Sequence, residues 1–342
     1  MRLVEYKPEH FDLVRRAAER MGAKALCHRP FVDHYYASSR WCKLYLAMID
    51  DEAIGATIGV DLMRFECESR SLTLGLGTNF RSLQPGFGGY LFMQWVKSCE
   101  VGFVFGGSGD THRILEQQKW TSFRGVNTYY LNPLYRAEPG DSAWRLSAKW
   151  MARHLSPRIA LPRRLRQIER DIWREISVQE EDDYDESLLP AATPFTFRFA
   201  PSPDYLRWRY NTRLSFVRYR CFRILASGRT VGYVILNDAP DRLIVSQCDG
   251  DDPAILAHGV LLSLAEASRE DRRPREVVLT SCRPEMQRLY ERFGFATRRR
   301  WHHPFALGLQ RSRIEMPSDT SNWLINFDWG DNGLRAPFLD QT

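Results

Sequence analysis

The strongest constraint on this chain is an internal repeat. Arg113-Ile114-Leu115-Glu116-Gln117-Gln118-Lys119-Trp120 aligns without a gap on Arg288-Leu289-Tyr290-Glu291-Arg292-Phe293-Gly294-Phe295. Each stretch follows an apolar, strand-like run, Val101 to Phe105 in the first copy and Val277 to Leu279 in the second. Upstream, Asp51 to Ile58 corresponds to Ser227 to Val234 as turn, strand and glycine. Two matches in the same order, roughly 175 residues apart, point to a duplicated domain rather than to chance. A chain of 342 residues has room for two domains that each bury a core.

Composition narrows the class further. Hydrophobic content of 44% and aromatic content of 13% fit globular domains and exclude a mostly disordered chain. No run of about eighteen apolar residues occurs, and Met1 to His10 alternates charged with apolar residues instead of building a signal peptide. The expectation is a soluble, cytoplasmic protein without a membrane span. Cys27, Cys42, Cys67, Cys99, Cys221, Cys248 and Cys282 are scattered and never form Cys-x-x-Cys, so neither a disulfide framework nor a zinc site is expected. The histidines include no spaced ligand set, and the adjacent His302 and His303 cannot share one face of a helix or strand, so no metal is expected. The net charge of +6 comes almost entirely from arginine. Arginine suits phosphate and carboxylate partners, but a GC-rich codon preference gives the same bias, and charge alone does not choose.

In the first copy the patterning predicts a strand from Arg2 to Tyr6, an amphipathic helix from Pro8 to Arg20 and a helical stretch from Phe31 to Ala37. Strands follow at Leu44 to Met48, Ile54 to Val60 and Ser71 to Gly77, then a loop from Thr78 to Gly89 and a helix from Tyr90 to Ser98. A strand from Val101 to Phe105, a short helix from Thr111 to Gln117 and a last strand from Asn127 to Leu131 close the unit. The second copy opens on Ser202-Pro203-Asp204, a capping hydroxyl, a first-turn proline and an early carboxylate. It repeats the order through strands at Tyr219 to Leu225, Thr230 to Leu236 and Arg242 to Gln247, and the helix Ala254 to Ser268. The strand Glu276 to Thr280, the helix Pro284 to Phe293 and a strand near Phe305 to Leu309 complete it. The expected domains are 1–135 and 196–310. A basic helical and then acidic connector, 136–195, joins them, and a tryptophan-bearing tail, 311–342, packs on the second domain.

The run Leu289-Tyr290-Glu291-Arg292-Phe293-Gly294-Phe295 resembles the Leu-Tyr-Glu-x-x-Gly-Phe signature of the GNAT acyltransferase superfamily. Its glycine can stop a helix in the left-handed conformation, and the phenylalanine re-enters the core. The resemblance, carried in both copies by the order of elements, implies an α/β (α+β) fold: two tandem GNAT-like domains, each a mixed, mostly antiparallel sheet flanked by helices. It also implies acetyl-CoA or another acyl-CoA as co-substrate, lying between two splayed strands with its pyrophosphate on the amino end of the central helix. The family loop there has the form Arg/Gln-x-x-Gly-x-Gly/Ala, in which backbone amides and a positive helix end meet an anion. The first copy offers Gly77 and Thr78, then Arg81, Gln84, Gly86, Phe87, Gly88 and Gly89 as cofactor-binding residues. Leu83 stands three before Gly86, so Arg81 or Gln84 must serve from a shifted register. The second copy offers Asp249-Gly250-Asp251-Asp252-Pro253-Ala254, whose three carboxylates repel a pyrophosphate. Acyl-CoA is therefore expected in the first domain.

In many family members the signature tyrosine protonates the departing thiolate. Tyr290 fills that place in the second copy and Leu115 in the first, leaving Ser108, Thr111 or water as first-copy donors. An amine acceptor must lose a proton, at about 4 kcal/mol near neutral pH, so carboxylates near the splayed strands are candidate bases. These are Glu66 and Glu68 in the first copy and Asp249 in the second, although most acids that flank a strand simply face water. Tyr205-Leu206-Arg207-Trp208-Arg209-Tyr210 resembles a run in tandem GNAT proteins associated with bacterial polysaccharide and cell-envelope gene sets. That suggests Trp208, Arg209 and Tyr210 as substrate-binding residues for an amino sugar or a glycan precursor; the alternative is that Leu206, Trp208 and Tyr210 fasten the helix to the sheet. Two further readings stay open. One is a FemABX-like aminoacyl transfer from tRNA, supported by Arg153, Arg158, Arg163, Arg164, Arg166 and Arg170 and the only reading that involves nucleic acid. The other is a non-catalytic tandem GNAT binding module.

Overall fold

The computed structural model describes residues 2–68, 70–105, 109–123, 126–131, 142–145, 147–148, 151, 175–240, 242–270, 276–297, 305–309 and 319–326. The basic segment 152–174, Ser108 and the pair His302 and His303 lie outside the described residues. The chain begins β1 (Arg2–Glu5), α1 (Phe11–Met21) and α2 (Arg29–Val32), which runs on into a π-helical turn (Asp33–Ala37). Then come β2 (Cys42–Met48), β3 (Ile54–Cys67), β4 (Arg70–Ser82), α3 (Phe87–Ser98), β5 (Val101–Phe105) and α4 (Gly109–Gln117). They are followed by β6 (Thr121–Phe123), β7 (Asn127–Leu131), β8 (Ile176–Glu181), β9 (Phe197–Phe199) and α5 (Pro203–Arg209). The second half continues with β10 (Tyr219–Ala226), β11 (Arg229–Asp238), β12 (Arg242–Gly250), α6 (Pro253–Glu270) and β13 (Glu276–Ser281). It ends with α7 (Pro284–Arg292), β14 (Ala296–Thr297), β15 (Phe305–Leu309) and β16 (Trp323–Leu324).

Local chemistry sets these elements. Helix α1 buries Phe11, Val14, Ala17 and Ala18, an apolar stripe at helical spacing, and stops at Gly22, whose φ of 64° lets its N–H reach back to Ala18 and Glu19. Helix α5 opens as its sequence suggests: the Ser202 hydroxyl accepts from the Tyr205 N–H and Pro203 takes the first turn.

Two sheets result. The first runs β1-β2-β3-β4-β5-β15-β6, with β9 beside the far end of β3 and β16 beside β9; the second runs β14-β7-β13-β12-β11-β10-β8. The pairs β4/β5, β12/β13 and β9/β16 are parallel and the other pairs antiparallel. The closing strands differ from the sequence expectation because they are exchanged. β7, expected to finish the first copy, pairs with β13 of the second sheet, Asn127 opposite Ser281 through Leu131 opposite Val277. β15, expected to finish the second copy, lies between β5 and β6 in the first sheet, Phe305 opposite Phe105. Duplicated sheets offer equivalent slots, so a closing strand fits either, and local patterning carries no information about which one it takes.

The exchange ties the halves together through backbone hydrogen bonds, and packing ties them again. Phe11, Val14 and Phe31 from the first copy share one buried cluster with Leu206, Tyr210, Tyr233 and Ile235 from the second. Trp95, Phe92 and Leu91 of α3 cover the other face of the first sheet with Ala56, Ile58 and Val60. Leu256, Val260, Leu261 and Leu264 of α6 cover the outer face of the second.

Candidate functional site

The first sheet forks. β4 and β5 stay in parallel register only from Leu74 opposite Val101 to Leu76 opposite Phe103, yet β4 continues to Ser82. Beyond Leu76 the β5-facing edge of β4 has no strand partner among the described residues. A bulge bends β4 away at this point: Gly59 faces Thr78 but Thr57 faces Arg81, which leaves one extra residue on β4. Asn79 takes the strain at φ 48°, a left-handed conformation that asparagine tolerates, and the Thr57 hydroxyl donates to its carbonyl at 3.1 Å. The strand is thus longer and the loop shorter than expected, and Thr78 and Arg81 belong to β4.

At the end of β4 the chain turns through residues 83–86 into α3. Gly86 has φ 86°, which needs a glycine, and no side chain caps the first turn. A groove of about 820 Å³ opens there, walled by Arg81, Gln84, Gly86, Gly88 and Gly89 on one side and by Met93 and Ile114 of α3 and α4 on the other. Five expected cofactor residues are thereby brought together. A Cβ on Gly89 would meet nothing within 4 Å, and one on Gly88 would make ordinary contact with Phe80 at 3.4 Å, so space lies open around the start of α3. The other three face elsewhere: Phe87 packs over Gly55, Gly77 lies under Trp95, and Thr78 is buried beside Tyr36.

The second sheet has the same fork but it is closed. β12 and β13 pair only from Arg242 opposite Glu276 to Ile244 opposite Val278. Beyond that, the segment Trp323 to Asn326 lies between them. The Asn326 carboxamide accepts from the Cys248 N–H at 3.3 Å and donates to the Cys248 carbonyl at 3.1 Å, and the Thr280 hydroxyl donates to the Ile325 carbonyl at 2.9 Å. The amino end of α6 is also occupied, since one Asp252 carboxylate oxygen accepts from the Ala254 and Ile255 N–H groups at 2.8 and 2.9 Å. This helix end already has its anion.

The expected catalytic residues scatter. Tyr290 is 1% exposed among Tyr129 and Phe295, and burial pushes its hydroxyl well above the ordinary tyrosine range. Leu115 is equally buried in the α3 layer. Glu68 is an exposed residue at φ 54° in the β3–β4 hairpin, at the opposite end of the strands from the groove. Glu66 meets Arg198 of β9 at 2.7 Å, and Arg198 reaches Asp249 of β12 with its other amino group. So Glu66 and Asp249, expected bases of different copies, are held by one guanidinium. Asp249 is wholly buried, and the loss of hydration outweighs the attraction of Arg198, raising its pKa to about 7. Arg198 itself is shifted up, the two carboxylates overcoming its own desolvation. Both shifts are upward, which favours a neutral Asp249 carboxyl and a charged Arg198 guanidinium.

Two of the expected substrate-binding residues are turned inward. Arg209 and Asp61 form an ion pair at 3.2 Å in which both side chains are 1% exposed, and the Tyr205 hydroxyl donates to the same carboxylate at 3.3 Å. Tyr210 is buried edge-on against Tyr219. A buried ion pair breaks only at high cost, so Arg209 ties α5 to β3, and Tyr210 likewise faces the core. Trp208 is half-buried, stacked on His34 and against Trp41. Sequence reasoning missed Asp61 and Arg198, although each is a charge inside an apolar strand run, Val60-Asp61-Leu62 and Phe197-Arg198-Phe199, which signals a buried pair.

Neither a protein-family model nor a curated protein sequence matches the chain. Solved structures do. A tandem GNAT protein from the clavulanic acid biosynthesis pathway superposes with a TM-score of 0.54 at 11% identity, over 90% of this chain and 97% of the other. A GCN5-related N-acetyltransferase from Anabaena variabilis superposes with a TM-score of 0.50 at 8% identity, over 90% of this chain and 72% of the other. The likeness is one of fold: two GNAT-like halves in a single chain, as the repeat and the Leu-Tyr-Glu-x-x-Gly-Phe run suggested.

Proposed function

We propose that this tandem GNAT-fold chain is an acyl-CoA-dependent N-acyltransferase that binds acetyl-CoA or another acyl-CoA in its first domain and acylates a small-molecule amine. The observation that carries the reading is the contrast between the two forks. The first has a strand edge without a strand partner among the described residues, an uncapped glycine-rich helix start and an 820 Å³ groove; the second is filled by Trp323 to Asn326 and capped by Asp252.

The residues present fit such a ligand. Gly86, Gly88 and Gly89 present backbone amides at a positive helix end, and Arg81 adds an exposed guanidinium, a donor set for a pyrophosphate. The edge of β4 beyond Leu76 offers backbone groups to an extended amide-bearing chain, much as a strand would pair. When bound, the thioester supplies an activated acyl carbon open to direct attack by a neutral amine. An amino sugar or envelope-polysaccharide precursor is the acceptor class suggested by the Tyr205 to Tyr210 run, with Trp208 as the aromatic surface still accessible in part.

Calorimetry with acetyl-CoA and longer acyl-CoAs tests the reading. A ligand at a hundredfold excess over its dissociation constant stabilises the native state by about 2.7 kcal/mol, so a thermal shift should accompany binding. Gly88→Val should abolish binding while the fold survives, because the added side chain fills the phosphate approach and its Cβ comes no nearer than 3.4 Å to Phe80. Asp251→Asn with Asp252→Asn should leave binding within a few-fold. Binding that survives Gly88→Val but is lost in the second-loop variant places the ligand in the second domain and overturns the assignment.

A further inference from the structure

The first domain has Leu115 where the family's proton-donating tyrosine stands, and Leu115 is buried in the α3 layer. We propose that Tyr36, from the π-helical turn, is the catalytic acid of the first domain, donating its hydroxyl proton to the departing CoA sulfur. This inference rests on the acyl-CoA reading and names the residue that completes it.

The geometry converges on the fork. Tyr36 reaches over β3 and β4 at the bulge: its hydroxyl lies 3.5 Å from the Thr78 hydroxyl and accepts from the Asn79 side-chain N–H at 3.0 Å. Thr78 is two residues past Leu76, the last residue of β4 paired with β5, and so stands about 7 Å along the strand from the point where the sheet opens. The Tyr36 ring is 3% exposed, but unlike that of Tyr290 its hydroxyl ends at this strand edge, on the half-buried Asn79. Gly59 makes room for it, because a Cβ there would lie 2.8 Å from the Tyr36 oxygen. The opposite face of the strand is blocked by Trp95, which packs on Gly77 and donates to the Gly75 carbonyl at 2.8 Å. A proton donor therefore reaches the fork from the Tyr36 side.

Asn79 gives the hydroxyl its chemistry. A donor aimed at the phenol oxygen stabilises the phenolate left when the proton departs. The bulge that opens the fork also aims this donor, since both follow from the left-handed backbone of Asn79. In the step itself the amine nitrogen bonds to the acyl carbon, the carbon–sulfur bond breaks and the sulfur takes the Tyr36 proton. The proton lost by the amine passes to solvent, from which the phenolate recovers one, so that thioester and amine give amide and free thiol.

The test compares CoA with desulfo-CoA, which lacks the sulfur, by calorimetry at pH 7 and pH 9. Wild type should bind CoA more tightly than desulfo-CoA, increasingly so at pH 9 where the thiol ionises; Tyr36→Phe should lose that preference while binding desulfo-CoA as before. Asn79→Gly, which keeps the left-handed backbone but removes the donor, should weaken the preference to an intermediate value. With an amine acceptor, Tyr36→Phe should release thiol about a hundredfold more slowly. If wild type binds neither ligand, the acyl-CoA reading fails; if both bind and the preference persists in Tyr36→Phe, the role of Tyr36 is refuted and the reading stands. The Tyr36→Phe ring keeps its packing on Phe31, so loss of folding is not expected, and unchanged desulfo-CoA binding verifies it.

Discussion

Replacing Tyr129 by alanine should damage the domain to which it does not belong in sequence. Tyr129 is fully buried in β7, with its ring 6.1 Å from that of Tyr290 and its hydroxyl donating to the Glu291 carboxylate at 3.2 Å. Truncating a buried aromatic ring costs about 3–5 kcal/mol. Loss of the hydroxyl bond is part of this, and Tyr129→Phe isolates it at about 0.5–1.5 kcal/mol. Typical domains have about 5–15 kcal/mol in total, so the alanine variant should remain folded but weakened. Hydrogen exchange locates the damage. At about 1.4 kcal/mol per decade, protection of β13 amides in Val277 to Ser281 should fall by at least about a hundredfold, with the first sheet affected no more than β13. Intact β13 protection with loss confined to β4 and β5 would show that β7 closes the first sheet, and the exchange of strands would be wrong.

Three other outcomes are expected. Leu115→Tyr, which restores the family residue at that position, should lower stability by about 1–3 kcal/mol through overpacking against Trp120 and its neighbours, and should not raise turnover; a faster enzyme would contradict this. Asp249→Asn should change how stability depends on pH. The native carboxyl, at about 7, holds its proton more firmly than the unfolded one near 3.9, so the wild-type contribution is full below about pH 4 and lost as pH rises to about 7. Urea midpoints should therefore show the variant gaining on wild type across that window and not above it; a constant offset would refute the assignment. Asn326→Ala strands the Cys248 N–H in the closed fork, while the Cys248 carbonyl keeps the Gln247 carboxamide at 3.4 Å, and should cost roughly 1–3 kcal/mol, read as a lowered unfolding midpoint without change in acetyl-CoA affinity.

Much of this architecture is legible because it is locally written. Gly22 and Ser202 punctuate their helices in sequence, and the glycines at 86, 88 and 89 stand where the groove opens. What is not legible depends on distant partners. Thr78 to Ser82 reads as loop because of its polar residues and the following proline, yet pairing with β3 keeps it extended through the bulge. Asn127 to Leu131 has the same pattern whichever sheet receives it. Arg209 and Tyr210 read as substrate-binding groups until Asp61 and Tyr219 are seen against them. Tyr290 carries the family signature but not its exposure, which sequence alone does not report.

The exchanged strands also set a timetable for synthesis. Among the described residues β6 borders only β15, and the edge of β5 that β15 covers stays bare until residues 305–309 have left the ribosome. At about 5–20 residues per second, the interval after β7 emerges is roughly ten to forty seconds. During that time the nascent first half carries an open strand edge of the kind that recruits neighbouring chains, and β7 has no sheet to join. A nascent chain built this way gains from a chaperone that shields the β5 edge, and crowded polysomes are where mispairing between neighbouring copies would first arise.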